Sequence, residues 1–219
     1  SCKISWKSPR RANAKASFSS PCLLERKRNA PELLTLSTSY GISSVDPRSG
    51  VLNWEARVFD KRCVSSPVVA GDLVIGTCGE GSGANTVVAV KLGGKGDVTA
   101  SHVAWKIQKS APYVPTPLVS GDRIYLLHDK GFISCAEAST GKILWNDRVG
   151  GSFYGSPILA GGKLYALSMQ GEAVVLAAGE EYKLISKNPL GEGSHSTPCV
   201  DGGRLYLRTF GHLVCVGGP

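Results

Sequence analysis

Seven cysteines and four histidines are the side chains of this chain best suited to redox or metal chemistry. Their spacing matches neither a zinc site nor a disulfide framework, because no two cysteines stand at C-x-x-C spacing and the count is odd. Cys135 and Cys215 follow matching segments, Gly131-Phe132-Ile133-Ser134 and Gly211-His212-Leu213-Val214, while Cys22 and Cys199 each follow a proline directly. These four are expected as small buried hydrophobes. Cys63 and Cys78 belong to one short unit and could approach each other. His102, His128, His195 and His212 lack a second ligand type at metal spacing and read as satisfied loop or strand-end residues. Ser17, Ser19 and Ser20 lack the Gly-x-Ser-x-Gly elbow of a hydrolase nucleophile. Gly79-Glu80-Gly81-Ser82-Gly83 lacks the Lys-Ser/Thr ending and the helix of a phosphate cradle, so it reads as a hairpin loop. Asp60, Glu80, Asn85, Asp129 and Asn146 sit near turns, where acidic and amide side chains are ordinary. No catalytic or metal residue is assigned from these patterns, and the reading leans away from an enzyme.

Composition narrows the partners. The 219 residues are 42% hydrophobic with 27 Gly and 12 Pro, enough for a packed core and without the period of collagen. No stretch approaches the roughly 18 apolar residues a membrane-spanning helix needs. The net charge of +8 is unevenly placed: residues 1–62 hold 12 Lys+Arg against 5 Asp+Glu, and residues 63–219 hold 13 against 12. The densest basic run, Arg26-Lys27-Arg28, reads as part of a polar loop from Glu25 to Glu32, with an anionic-partner patch as the alternative. Without interleaved aromatics or a recognised module, nucleic acid is not expected as a partner. The chain opens on Ser1 with no basic-then-apolar leader, which reads as a processed or partial chain.

The elements that position these residues repeat. Ser/Thr-Pro followed by apolar residues or Cys recurs at Pro21, Pro67, Pro117, Pro157 and Pro198. In four copies a short apolar run then reaches Gly71-Asp72, Gly121-Asp122, Gly161-Gly162 or Gly202-Gly203, followed by an alternating run rich in Val, Ile, Leu and Tyr. That is strand, tight turn, strand. A second turn, at Tyr40-Gly41, Lys130-Gly131, Gln170-Gly171 and Phe210-Gly211, leads to a third strand. A fourth closes the unit: Asp46-Pro47-Arg48-Ser49-Gly50-Val51-Leu52-Asn53-Trp54 and Glu137-Ala138-Ser139-Thr140-Gly141-Lys142-Ile143-Leu144-Trp145 share one pattern of acid, Ser/Thr-Gly and Trp. Trp105 holds that place in the second unit after an insertion from Gly93 to His102, and Leu184 replaces it in the fourth. No helical pattern of comparable strength is present.

Units of 40–50 residues with four antiparallel strands are the blades of a β-propeller, which must stack to bury both faces. The expected class is therefore all-β, with blades at 18–59, 63–108, 113–149, 153–187 and 195–217 and a stray fourth strand at 2–7. The acid-x-x-Ser/Thr-Gly-x-x-x-Trp turn resembles that of the pyrroloquinoline-quinone-like propeller family, over nearly the whole chain. In that family each Trp docks on the neighbouring blade and stacks on its Gly-containing peptide. The resemblance therefore implies Trp54, Trp105 and Trp145 as docking residues, with Gly50 and Gly141 at the matched turns. Family members usually have seven or eight blades, so five repeats read as the C-terminal arc of a larger ring. The alternative is a closed five-bladed ring, with Ile4-Ser5-Trp6-Lys7 completing the last blade.

The resemblance also sets the functional expectations. Relatives include quinoprotein dehydrogenases, which hold the quinone and calcium on the propeller axis, and non-enzymatic scaffolds. This chain has no Cys-Cys pair of the kind often found over the quinone. The leading reading is a non-catalytic scaffold that binds a protein partner, periplasmic or extracellular as relatives commonly are, with no cofactor. Its contact loops are Glu25 to Glu32 (Arg26, Lys27, Arg28), Gly79 to Asn85 (Glu80, Ser82, Asn85) and the insertion at Gly93 to His102. The alternatives are a fragment of a pyrroloquinoline quinone- and calcium-dependent dehydrogenase and, more weakly, a polysaccharide or anionic-ligand binder.

Overall fold

A computed structural model of the chain describes residues 3–9, 17–26, 29–81 and 83–217. The architecture is all-β. The first blade is β1 (Cys22–Leu24), β2 (Glu32–Ser37), β3 (Gly41–Val45) and β4 (Leu52–Ala56). The second is β5 (Val68–Ala70), β6 (Leu73–Cys78) and β7 (Thr86–Lys91), then a short β8 (Gly96–Asp97), a single helical turn α1 (Thr99–His102), and β9 (Val103–Ile107). The third runs β10 (Leu118–Ser120), β11 (Arg123–Leu127), β12 (Phe132–Glu137) and β13 (Ile143–Arg148), and the fourth β14 (Ile158–Ala160), β15 (Lys163–Leu167), β16 (Glu172–Ala177) and β17 (Leu184–Pro189). The fifth has β18 (Cys199–Asp201), β19 (Arg204–Arg208) and β20 (Leu213–Val216).

The repeated prolines set the starts. In every blade the first strand begins on the residue after the Ser/Thr-Pro proline, where a missing N–H breaks no central ladder bond. Pairs such as Ala70↔Leu73 and Ser120↔Arg123 leave a two-residue turn. Gly71 and Gly121 occupy its first position at φ +56° and +59°, a conformation that costs glycine nothing and other residues a Cβ clash. The fourth strand follows the acid turn. Asp46 Oδ1 accepts the Arg48 and Ser49 amides at 2.7 and 3.1 Å. Glu137, one methylene longer, instead accepts the Thr140 hydroxyl at 2.5 Å.

The chain divides into two compact units, Ser1–Lys109 and Ser110–Pro219, each with its own core. In the first, Leu34, Leu36, Ile42 and Trp54 pack against Val74, Val88 and Val90 of the second blade. In the second, Tyr125, Leu127, Ile133 and Cys135 of the third blade pack against Leu164, Ala166, Val174 and Leu176 of the fourth, with Phe153 buried among them. The other face of the fourth blade, at Leu167 and Ala173, meets Leu207 with Leu205 and Val214 of the fifth. Each fully buried Leu, Ile, Val or Phe among them contributes about 1.5–3 kcal/mol by leaving water.

The three tryptophans occupy one register. Trp54, Trp105 and Trp145 lie opposite Ser44, Ala89 and Cys135 on the third strands of their blades, small residues that leave room for an indole. The fourth blade corrects one expectation. Its residue at this register is Ser186, opposite Val175, whereas Leu184 lies opposite Leu176 and matches Ile143. The bulge between Val175 and Leu176 has counterparts in the first three blades, so the longer turn before β17 accounts for the offset.

Other differences concern the two ends of the repeat array. Residues Ile4 to Lys7 form no strand, and the fifth sheet has three strands, β18-β19-β20. The alternative in which that segment completes the last blade is therefore corrected: among the described residues no fourth strand joins β18-β19-β20. Trp6 instead stacks on the first blade's turn: a Cβ on Gly50 would lie 2.3 Å from its ring, and its Nε1 donates to Pro47 O at 3.0 Å. Having found a turn peptide to cover, the indole does not need a ladder. Cys199 and Cys215 are exposed rather than buried. They flank Tyr206 in the register that Leu118 and Cys135 hold around Tyr125. Tyr125 and Cys135 are 1% and 0% exposed because the fourth blade covers them. Among the described residues no blade packs on the equivalent face of the fifth, and Leu213, at the place of buried Ile133, is 71% exposed.

Candidate functional site

The insertion in the second blade reaches back to the first. β8 pairs in parallel with β4, Trp54 opposite Gly96 and Glu55 opposite Asp97, and so extends the first sheet to β1-β2-β3-β4-β8. Asp97 starts the helical turn, its Oδ1 accepting the Thr99 amide and hydroxyl at 3.0 and 2.6 Å. Thr99 Oγ1 in turn accepts the Arg57 amide at 2.8 Å, and Val98 is buried in the first core.

Between this insertion and the charged loop of the first blade lies a groove of about 630 Å³, within the 300–1,000 Å³ typical of ligand sites. Arg26 and Asn29 form one wall, Gly93 to Gly96 with Lys95 the other, and Val51, Leu52 and Trp54 the apolar floor. Val51 and Leu52 are 62% and 36% exposed.

Glu32 anchors the groove. Its Oε1 accepts Arg26 Nη2 at 2.6 Å, and its Oε2 accepts Ser44 Oγ at 2.6 Å and Trp54 Nε1 at 3.0 Å. Asn53 Nδ2 donates to Ser44 Oγ at 3.0 Å. Burial pushes the Glu32 carboxyl up, but the bonds from Ser44, Trp54 and Arg26 outweigh it and hold the carboxyl below the usual range. Stability from a carboxyl lowered on folding is present above its unfolded pKa and is lost as pH falls through the folded value. Acid titration of the chain, followed by tryptophan fluorescence, is therefore expected to show loosening below about pH 4.3 that is reduced in Glu32→Gln. An identical acid profile in the variant would remove Glu32 from this role.

The structure unites two of the three contact regions expected from sequence. Arg26 and the Gly93-to-His102 insertion share the groove, whereas Glu80 and Asn85 do not line it. Lys27, Arg28 and Ser82 lie outside the described residues. Glu80 and Asn85 order their own loop: the Glu80 amide donates to Asn85 Oδ1 at 3.2 Å. Lys61 Nζ bonds Gly83 O and Ala84 O and pairs with Glu80 at 3.3 Å. Asp129 accepts the Tyr113 and Val114 amides, each at 2.8 Å, and Asn146 bridges Ser110 and Ser134. Among the described residues no three His, Cys, Asp or Glu converge as a metal-binding group.

The docking tryptophans divide. Trp145 Nε1 donates to Gly179 O on the next blade's turn at 3.3 Å, and its ring meets Tyr182 at 5.8 Å. Trp54, beside the insertion, gives its N–H to Glu32 of its own blade. The lengthened connection after β7 takes the place of a tight turn, and the groove occupies the space beside it.

Residues 83–181 match the family model described as outer membrane protein assembly factor BamB. The repeat is similar to that of the PQQ-like propeller family. BamB from Moraxella catarrhalis aligns over 92% of this chain and 56% of its own, at 15% identity and TM-score 0.66. The computationally designed Ika8 protein aligns over 84% of this chain and 53% of its own, at 7% identity and TM-score 0.61. This PQQ-like chain thus spans about half the length of those two structures. A europium-containing methanol dehydrogenase aligns over 55% of it at 15% identity and TM-score 0.44. No curated protein matches the chain. Among the described residues no helix is long and apolar enough to cross a membrane.

Proposed function

We propose that this PQQ-like chain is a non-catalytic scaffold of the cell envelope that binds a protein partner through the groove of its first unit. The observation that carries the reading is the insertion's pairing with β4. It builds a groove from an exposed apolar floor, Val51 and Leu52, with Arg26 and Lys95 on opposite walls. Loops fixed on packed sheets are where propellers place recognition without disturbing their cores. An extended peptide segment with apolar side chains and an acidic flank suits such a groove: the floor takes the apolar groups and Lys95 the acidic one, Arg26 being held by Glu32. The family description, an outer membrane protein assembly factor, supports an envelope location and a protein partner.

A photo-crosslinking amino acid placed at Leu52 in the producing cells tests this directly. The expected result is one discrete protein adduct, lost when Lys95→Glu is added to a chain that keeps its native circular dichroism. The same probe at Leu144, an exposed position on β13 that is not part of the groove's lining, should give none. No adduct at Leu52, or the same adduct at both positions, would sink the proposal.

A further inference from the structure

Cys63 and Cys78 are the most enclosed of the described thiols of the first unit, at 0% and 1% exposure, and both belong to its core. An antiparallel bridge joins Arg62 to Gly79, with the Gly79 amide donating to Arg62 O at 2.9 Å. One step along such a bridge places residue 63 opposite residue 78. Directly opposed residues on antiparallel strands have Cα atoms about 4.5–5.5 Å apart, inside the range a disulfide spans. The two sulfurs also meet the same backbone. Cys63 Sγ donates to Lys61 O at 3.8 Å, and the Cys78 sulfur makes a backbone hydrogen bond with Lys61.

Both cysteines are free thiols in this structure. We propose that Cys63 and Cys78 form an intramolecular disulfide when the chain folds in the presence of a small-molecule disulfide. The thiolate of one attacks a sulfur of the oxidant and forms a mixed disulfide, releasing one small thiolate. The second cysteine thiolate attacks the protein-side sulfur of that mixed disulfide and releases the other. The two cysteines lose two electrons and two protons, and both end on the two small thiols. Burial raises the Cys78 thiol above its ordinary range, so exchange occurs while the strands are still forming, and the finished bond is then sealed in the core.

The bond has a local consequence. Cys78 ends β6, immediately before the Gly79-to-Asn85 loop, and Cys63 is two residues from Lys61, whose ammonium holds that loop. The disulfide would fix both sides of the loop's base, where the reduced chain relies on hydrogen bonds and one ion pair.

The test is to refold the whole chain in oxidised and reduced glutathione, block remaining thiols with N-ethylmaleimide, and digest with trypsin and a protease that cuts before aspartate. The expected product is a linked pair of peptides, one from Cys63 to Gly71 and one from Asp72 to Lys91, absent after reduction. The unfolding constant of the linked chain should be lower than that of the reduced chain on the order of 100-fold. In Cys63→Ser, Cys78 should instead carry the maleimide. If that variant does not fold, the wild-type peptide map decides alone. Maleimide on both cysteines of the refolded wild-type chain, or a bond from either to Cys22, which packs against the same core, would overturn the proposal.

Discussion

Replacing Trp54 with alanine is expected to lower the unfolding free energy by about 3–5 kcal/mol, as for large aromatic side chains removed from a core. Trp54 is 1% exposed and packs with Leu34, Leu36 and Ile42 of its own blade and with Val74, Val88 and Val90 of the next. Its loss leaves a void between two sheets whose backbones are fixed by their ladders and cannot close in. It also removes one of the donors to Glu32 Oε2. Trp54→Phe separates the two effects, since it keeps most of the ring and loses the N–H; its cost should be nearer 1–3 kcal/mol. Urea denaturation of the full chain gives both values, and a loss below 1 kcal/mol for Trp54→Ala would show that the two blades are not joined through this side chain.

The second large effect is a contrast between two cysteines in equivalent positions. Burial pushes the Cys135 thiol up to about 11, from an ordinary value of 9.0. At a fixed pH that lowers its thiolate fraction about 100-fold. Cys215, opposite Tyr206 as Cys135 is opposite Tyr125, lies on an uncovered face. Alkylation by iodoacetamide at pH 8, followed by peptide mass spectrometry, should therefore label Cys215 at least 100-fold faster than Cys135. The difference should disappear in urea, where both are equally open. Comparable rates in the folded chain would mean that the fourth blade does not seal the third.

Much of this fold was legible because the repeat is written in residues that act locally. Proline after Ser/Thr sets the start of each first strand, Gly-Asp or Gly-Gly sets each hairpin, and the acid-to-Trp segment sets the fourth strand. These choices depend on φ angles and missing donors more than on neighbours. Features that depend on distant partners were not legible. β8 is a Gly-Asp pair that becomes a strand only because β4 offers an edge, and the helical turn after it rests on Asp97, Thr99 and Arg57 from two blades. Glu32 read as the end of a charged loop. It is the first residue of β2, and its bonds to Ser44 and Trp54 come from residues 12 and 22 positions away. The longer turn before β17 moved Leu184 out of the tryptophan register, and only the pairing of β16 with β17 shows where the strand resumes. The groove became visible only when the insertion was seen lying against the first sheet.

The uncovered face of the fifth blade bears on how the second unit breathes. Among the described residues the fourth blade is clamped by apolar side chains on both sides, the fifth on one. In a stack of repeats each interface contributes its own share of cohesion, so opening the fifth blade breaks one interface, whereas opening the fourth breaks two. The amides of β18, β19 and β20 should then exchange with solvent through local excursions that leave β15 and β16 protected. Loosening would travel inward like a zipper, one blade at a time, and the Tyr125–Cys135 layer would be among the last parts of this unit to meet water.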